Sequence, residues 1–132
     1  MRLPLILAFL LLVGNSIAVT SSFFAKKRVK SPFLTAFILA FSLSGGVLIF
    51  LTLRQGVGGA LRVFLILAGV APGALTVSAI LHNAICGLAK GVFGKEFEEP
   101  VLFLIAVFAC PAVFLVGVVG TIVLIIRDMV LR

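Results

Sequence analysis

Tryptophan and tyrosine are absent from this chain of 132 residues, and acidic residues are nearly so, with four Asp and Glu against eleven Lys and Arg. The shortage of charge decides the class. At 11% charged residues, against about 25% in a soluble domain, there is too little polar side chain to coat a water-facing surface. Two cysteines, Cys86 and Cys110, are too few for a disulfide scaffold and form no Cys-x-x-Cys pair. Without Trp or Tyr the usual aromatic belts at the membrane interfaces have no members. The thirteen Phe carry ring bulk but no polar handle, which suits packing among helices and lipid tails. No Ser-His-Asp grouping, phosphate-binding loop or zinc-protease motif is present. The chain reads as a non-enzyme with no catalytic residue, no metal and no cofactor.

What is present is apolar: 63% hydrophobic residues and a mean hydropathy of +1.39. The solvent that accommodates such a chain is lipid. The expected class is an all-α, multi-pass membrane protein of one domain, placed in the cell membrane. Net charge is +7, but the basic residues cluster at the ends of apolar runs, where charges anchor and orient spans. That distribution points to membrane lipids as partners and lacks the basic, aromatic-interleaved face of a nucleic-acid binder.

Apolar runs of about 20 residues, enough to cross a bilayer core, predict four transmembrane helices over 3–24, 33–53, 61–82 and 100–126, paired as two antiparallel helical hairpins. The first run also resembles a signal peptide, with Arg2, an apolar stretch over 3–13 and Ser16-Ile17-Ala18 near a cleavage pattern. Its apolar character continues to Phe24, however, and Lys26, Lys27, Arg28 and Lys30 follow at once. It reads as an uncleaved first helix. Ser31-Pro32 fits an N-cap followed by proline at the first helical position. The glycine-rich turn over 54–59 predicts a tight hairpin into the third helix.

A polar link is expected over 83–99, with Ile85, Leu88, Val92 and Phe93 at near-helical spacing allowing part of it to lie as an interfacial helix. Glu96, Glu98 and Glu99 precede Pro100, where negative charge offsets a helix dipole, and Lys90 and Lys95 can pair with them. Six cations flank the helices on the side of the first loop and five on the side of the termini. The concentration in the first loop places loops one and three in the cytoplasm and both termini outside.

Every span carries small, polar or helix-breaking residues about ten positions from its ends. They are Asn15 in the first, Ser42 and Ser44 in the second, Pro72 in the third and Cys110 in the fourth. Close packing explains such a layer, with Gly69 and Gly73 as a G-x-x-x-G step and Ala36, Ala40 and Ser44 along one face. The competing reading is a midplane substrate site built from broken helices, since Pro72 and Pro111 each free a backbone carbonyl. The layer holds no ionisable acid or base, which disfavours a proton relay.

His82 and Asn83 form a possible interfacial polar site. His82 and Cys86 share a helix face, but Cys110 is about 13 Å deeper by helical rise, so the three do not make a metal site. The leading functional reading is an accessory or assembly subunit, or a homo-oligomer, acting by helix–helix association with other membrane proteins or itself. A small transporter or channel component is the alternative, and a redox component using His82 comes third.

Overall fold

A computed structural model describes residues 3–24, 31–94 and 100–132. Four helices, each long and apolar enough to span a membrane, make up the fold: α1 (Leu3–Phe24), α2 (Ser31–Arg54), α3 (Gly59–Phe93) and α4 (Pro100–Val130). They run alternately up and down as two antiparallel hairpins. Each packs on its chain neighbour, and the α2–α3 seam that joins the hairpins is as developed as the seams within them. α1 and α4 form no seam, so the bundle is an open row. α2 and α4 reach each other across α3 through Phe41 and Phe114, whose rings meet edge to face at 5.4 Å.

The helices end where the backbone chemistry changes. Past Arg54 the chain turns at Gly56 and Gly59, both at positive φ, the left-handed region open to glycine. α3 stops at Gly94, also left-handed, whose N–H donates to the Lys90 carbonyl. Arg54, Lys90 and Arg127 each lie in the last turn of their helix, facing the negative end of the dipole.

Five boundaries differ from the sequence reading, the end of α2 and the start of α3 by one and two residues. α2 begins at Ser31 and α4 continues to Val130, each a turn or less beyond expectation. The larger difference is α3, which has 35 residues and is continuous through Phe93. At 1.5 Å per residue it is about 52 Å long, well beyond a hydrocarbon core of about 30 Å. Most of the expected polar link is therefore a continuation of α3. It is held by the start of α4, which packs along it. The glutamates Glu96, Glu98 and Glu99, with Lys95 and the basic cluster over 26–30, lie outside the described residues.

α4 is not uniform. Ile105–Ala109 is a π-helical turn in which the Cys110 N–H donates five residues back, to Ile105. Pro111 supplies the reason. Its ring would strike the carbonyl four residues earlier, on Val107, and widening the turn by one residue relieves the clash. Pro72, in contrast, sits inside α3 without interrupting it.

The core is a single cluster through all four helices, with Leu5, Leu12, Leu48 and Leu65 fully buried. Thr52 and Thr121 are also fully buried. Each donates its hydroxyl to the carbonyl four residues back, Leu48 at 2.7 Å and Gly117 at 2.8 Å, so neither hydroxyl is stranded in an apolar site. Within the most apolar window of each span, 17–33% of residues are buried by the rest of the chain, with α4 the least covered. Lipid or another protein covers the remainder.

Candidate functional site

Two backbone crossings set the geometry of the interior. At the α2–α3 crossing, a Cβ on Gly45 would stand 2.5 Å from the Gly69 carbonyl oxygen and 3.2 Å from the Pro72 ring. A Cβ on Gly69 would meet Ile49 at 2.6 Å and the Gly45 carbonyl at 2.8 Å. At the α3–α4 crossing, a Cβ on Gly117 would collide with the Ala68 backbone and come within 2.8 Å of the Phe64 carbonyl. One turn on, the Phe64 ring occupies the space a Gly120 side chain would need. Hydrogen in place of a side chain is what lets these helices touch. Gly73, expected to share the packing step with Gly69, lies outside the crossing, and a Cβ there meets nothing within 4 Å.

The polar residues of the expected layer divide between two seams. Between α1 and α2, Asn15 Nδ2 donates to Ser44 Oγ at 3.3 Å, and Ser44 donates to the Phe41 carbonyl at 2.8 Å. Between α2 and α3, Ser42 Oγ and Thr76 Oγ1 are 2.5 Å apart. Both hydroxyls also reach the Pro72 carbonyl, at 3.3 Å and 3.1 Å. Ser42 and Ser44 are two positions apart and so point to nearly opposite sides of α2, about 200° around the helix. They share a depth but not a site. Cys110 is buried on α4. Counting seven residues back from Gly117 in the antiparallel pair places it roughly level with Gly73. Among the described residues it joins neither hydrogen-bonded group.

Thr76 was not singled out in the sequence, though it is central to the α2–α3 group. Its signal was available: a hydroxyl four residues after a helix-interior proline lies over that proline's carbonyl. Gly45 and Gly117 were likewise unmarked as crossing points.

His82 is half-buried, and its ring lies 5.8 Å from that of Phe103 on α4, tilted by 44°. Its Nε2 is 3.9 Å from Cys86 Sγ one turn along α3. Asn83 faces outward. Histidine and asparagine therefore lie on different sides of α3. Among the described residues no three His, Cys, Asp or Glu side chains come close enough together to hold a metal ion.

Away from the polar layer, two clefts form at the end shared by the α1 N-terminus, the α2–α3 turn and the α4 C-terminus. One, of about 310 Å³, is lined by Pro4, Leu51, Arg54 and Gln55, and the Gln55 Oε1 atom is buried without a hydrogen-bond donor among the described residues. The other, of about 540 Å³, opens between α1, α3 and α4.

The class these observations define is a small all-α, multi-span membrane protein with side-chain hydrogen bonds between α1 and α2 and between α2 and α3. Comparison with protein-family models, with curated proteins and with solved structures finds no match.

Proposed function

We propose that the protein works by association, as an accessory or assembly subunit of a larger membrane complex or as a homo-oligomer. The observation that carries this reading is the outward face of α3. Gly73, Val77, Ile80, Ala84, Gly87 and Gly91 fall within about 40° of one line along the helix at 100° per residue. A Cβ on any of the three glycines meets nothing within 4 Å, so none is needed for the fold's own packing. Gly73, Ala84, Gly87 and Gly91 are small, and small residues aligned on a helix face are the means by which membrane helices approach closely, because lipid tails supply no hydrophobic drive for association. The open row supports the same reading, since α1 and α4 leave both flanks uncovered. The division of the polar layer between two closed seams weighs against a converging transport site.

The test is a pull-down from native membranes in mild detergent, with partners identified by mass spectrometry and the intact assembly weighed. A stoichiometric partner or a defined homo-oligomer is expected. Gly73→Leu and Gly87→Leu are expected to shift the assembly to the monomer mass while Gly14→Leu, open on α1, leaves it unchanged. A wild-type protein that is monomeric and without partner would overturn the reading.

A further inference from the structure

The arginines among the described residues, Arg54, Arg62, Arg127 and Arg132, are gathered at one end of the molecule, whereas Lys90 lies at the other. No periodicity requires this sorting. Guanidinium groups bind phosphate oxygens through paired, parallel N–H donors in a way an ammonium does not. Two of the four, Arg127 and Arg132, line the 540 Å³ cleft. That volume lies within the range of ligand pockets, about 300–1,000 Å³.

Apolar side chains share the lining with them: Ile6 of α1, Leu61 of α3, and Leu124 and Ile125 of α4. Because α1 and α4 form no seam, no helix pairing closes the cleft between them. One side-chain carboxylate lines the cleft, Asp128, and Arg132 already engages it at 3.2 Å across one exposed helical turn. Arg127 has no carboxylate partner among the described residues. The cleft thus sets cationic donors beside apolar side chains at the end of the apolar spans.

We propose that this cleft is a binding site for an anionic glycerophospholipid. The phosphate and headgroup sit on Arg127 and Arg132, and an acyl chain runs down along Ile6, Leu61 and Leu124. A soluble anion would use the arginines but leave the apolar side chains uncovered. A zwitterionic lipid would cover them but bring a cationic headgroup toward guanidinium groups. The ligand that matches both features is amphipathic with net negative charge, as recognised elsewhere by basic pockets between transmembrane helices. This inference is independent of the association reading, since it rests on the opposite flank of the molecule from the α3 glycines.

The experiment is native mass spectrometry of the full-length protein released from vesicles of equal parts phosphatidylglycerol and phosphatidylcholine. Wild type is expected to retain phosphatidylglycerol in preference to phosphatidylcholine by about thirtyfold, the factor given by two surface arginines. Arg127→Gln with Arg132→Gln should abolish the preference, whereas Lys90→Gln at the other end should keep it. Equal retention of the two lipids by wild type would overturn the proposal. So would a loss as large in Lys90→Gln as in the arginine variant, which would reduce the effect to overall charge. Displacement of the retained lipid by excess inorganic phosphate would also overturn it, by making the site one for a free anion. A wild-type measurement removes any dependence on how the variants fold. Phosphatidylglycerol with a photoreactive acyl chain should crosslink to peptides holding Leu61 and Leu124 more than the phosphatidylcholine analogue does. An identical crosslinking pattern for the two would contradict a specific site.

Discussion

Two glycines on the same helix, Gly69 and Gly73, are equivalent by composition and spacing yet differ in what surrounds them. Gly69 lies against the backbone of α2, and Gly73 faces open space. Substitution should separate them. Gly45→Ala and Gly117→Ala place a methyl group against backbone atoms, which cannot move aside as a flexible side chain would. Each is expected to lower stability by about 1–3 kcal/mol, read as a lower thermal midpoint in detergent. Gly73→Ala is expected to be neutral or slightly stabilising, since alanine is the better helix former. The hydroxyl group at the α2–α3 seam is a smaller effect. Ser42→Ala leaves Thr76 bonded to the Pro72 carbonyl, so the loss should be about 0.6 kcal/mol, typical of polar contacts between membrane helices. A double-mutant cycle with Thr76→Ala should return coupling of the same order. Coupling near zero would mean the two hydroxyls act separately on the carbonyl.

At the scale of whole helices, the four spans were legible because a bilayer demands about 20 apolar residues in a row, and the chain has four such runs. Depth was legible too, since it follows from counting inward. What could not be read was azimuth. Ser42 and Ser44 look like one layer when only depth is known, and become two seams once the neighbours on each side of α2 are placed. The continuation of α3 through Phe93 was obscured by Gly87 and Gly91, which are poor helix formers in water. Propensity is a weak prior where a second helix packs alongside, and here the start of α4 does so, with Phe103 against His82. The π turn over Ile105–Ala109 sets the rotation of that first segment of α4. Pro111→Ala restores a backbone donor and removes the ring clash, so the turn should relax to α geometry. One residue fewer in the bulge rotates Pro100–Leu104 by about 100° and carries Phe103 away from His82. A His82→Cys, Phe103→Cys pair, in a background with Cys86→Ser and Cys110→Ala, should join through a short bifunctional thiol reagent when Pro111 is present. The yield should fall sharply with Pro111→Ala. An unchanged yield would show that the bulge does not depend on the proline.

For the molecule as a whole, the open row gives two chemically distinct ends. One end carries Arg54, Arg62, Arg127 and Arg132, and the other carries Lys90 at the tip of the α3–α4 hairpin. By sequence the basic loop over 26–30 adds to the lysine side, giving six cations against five when every Lys and Arg is assigned to its nearest helix end. Orientation in a membrane follows the Lys and Arg bias of short loops near span ends, with acidic residues contributing little. A margin of one is small, but four of the six lie within one short loop between α1 and α2, where early spans dominate the outcome. The expected orientation has that loop in the cytoplasm and both termini outside. A reporter active only outside the cytoplasm, fused after Arg132, should therefore be active. Because the margin is narrow it should also be reversible. Lys26→Gln with Lys27→Gln leaves four cations against five, and the fused reporter should lose most of its activity while a cytoplasm-dependent reporter at the same position gains it. An inactive outside reporter on the unaltered chain would invert the assignment and place the arginine end, with its cleft, in the cytoplasm. Indifference to the lysine changes would show that the ends are held by something other than loop charge, with the long α3 and its packing against α4 as the element to test next.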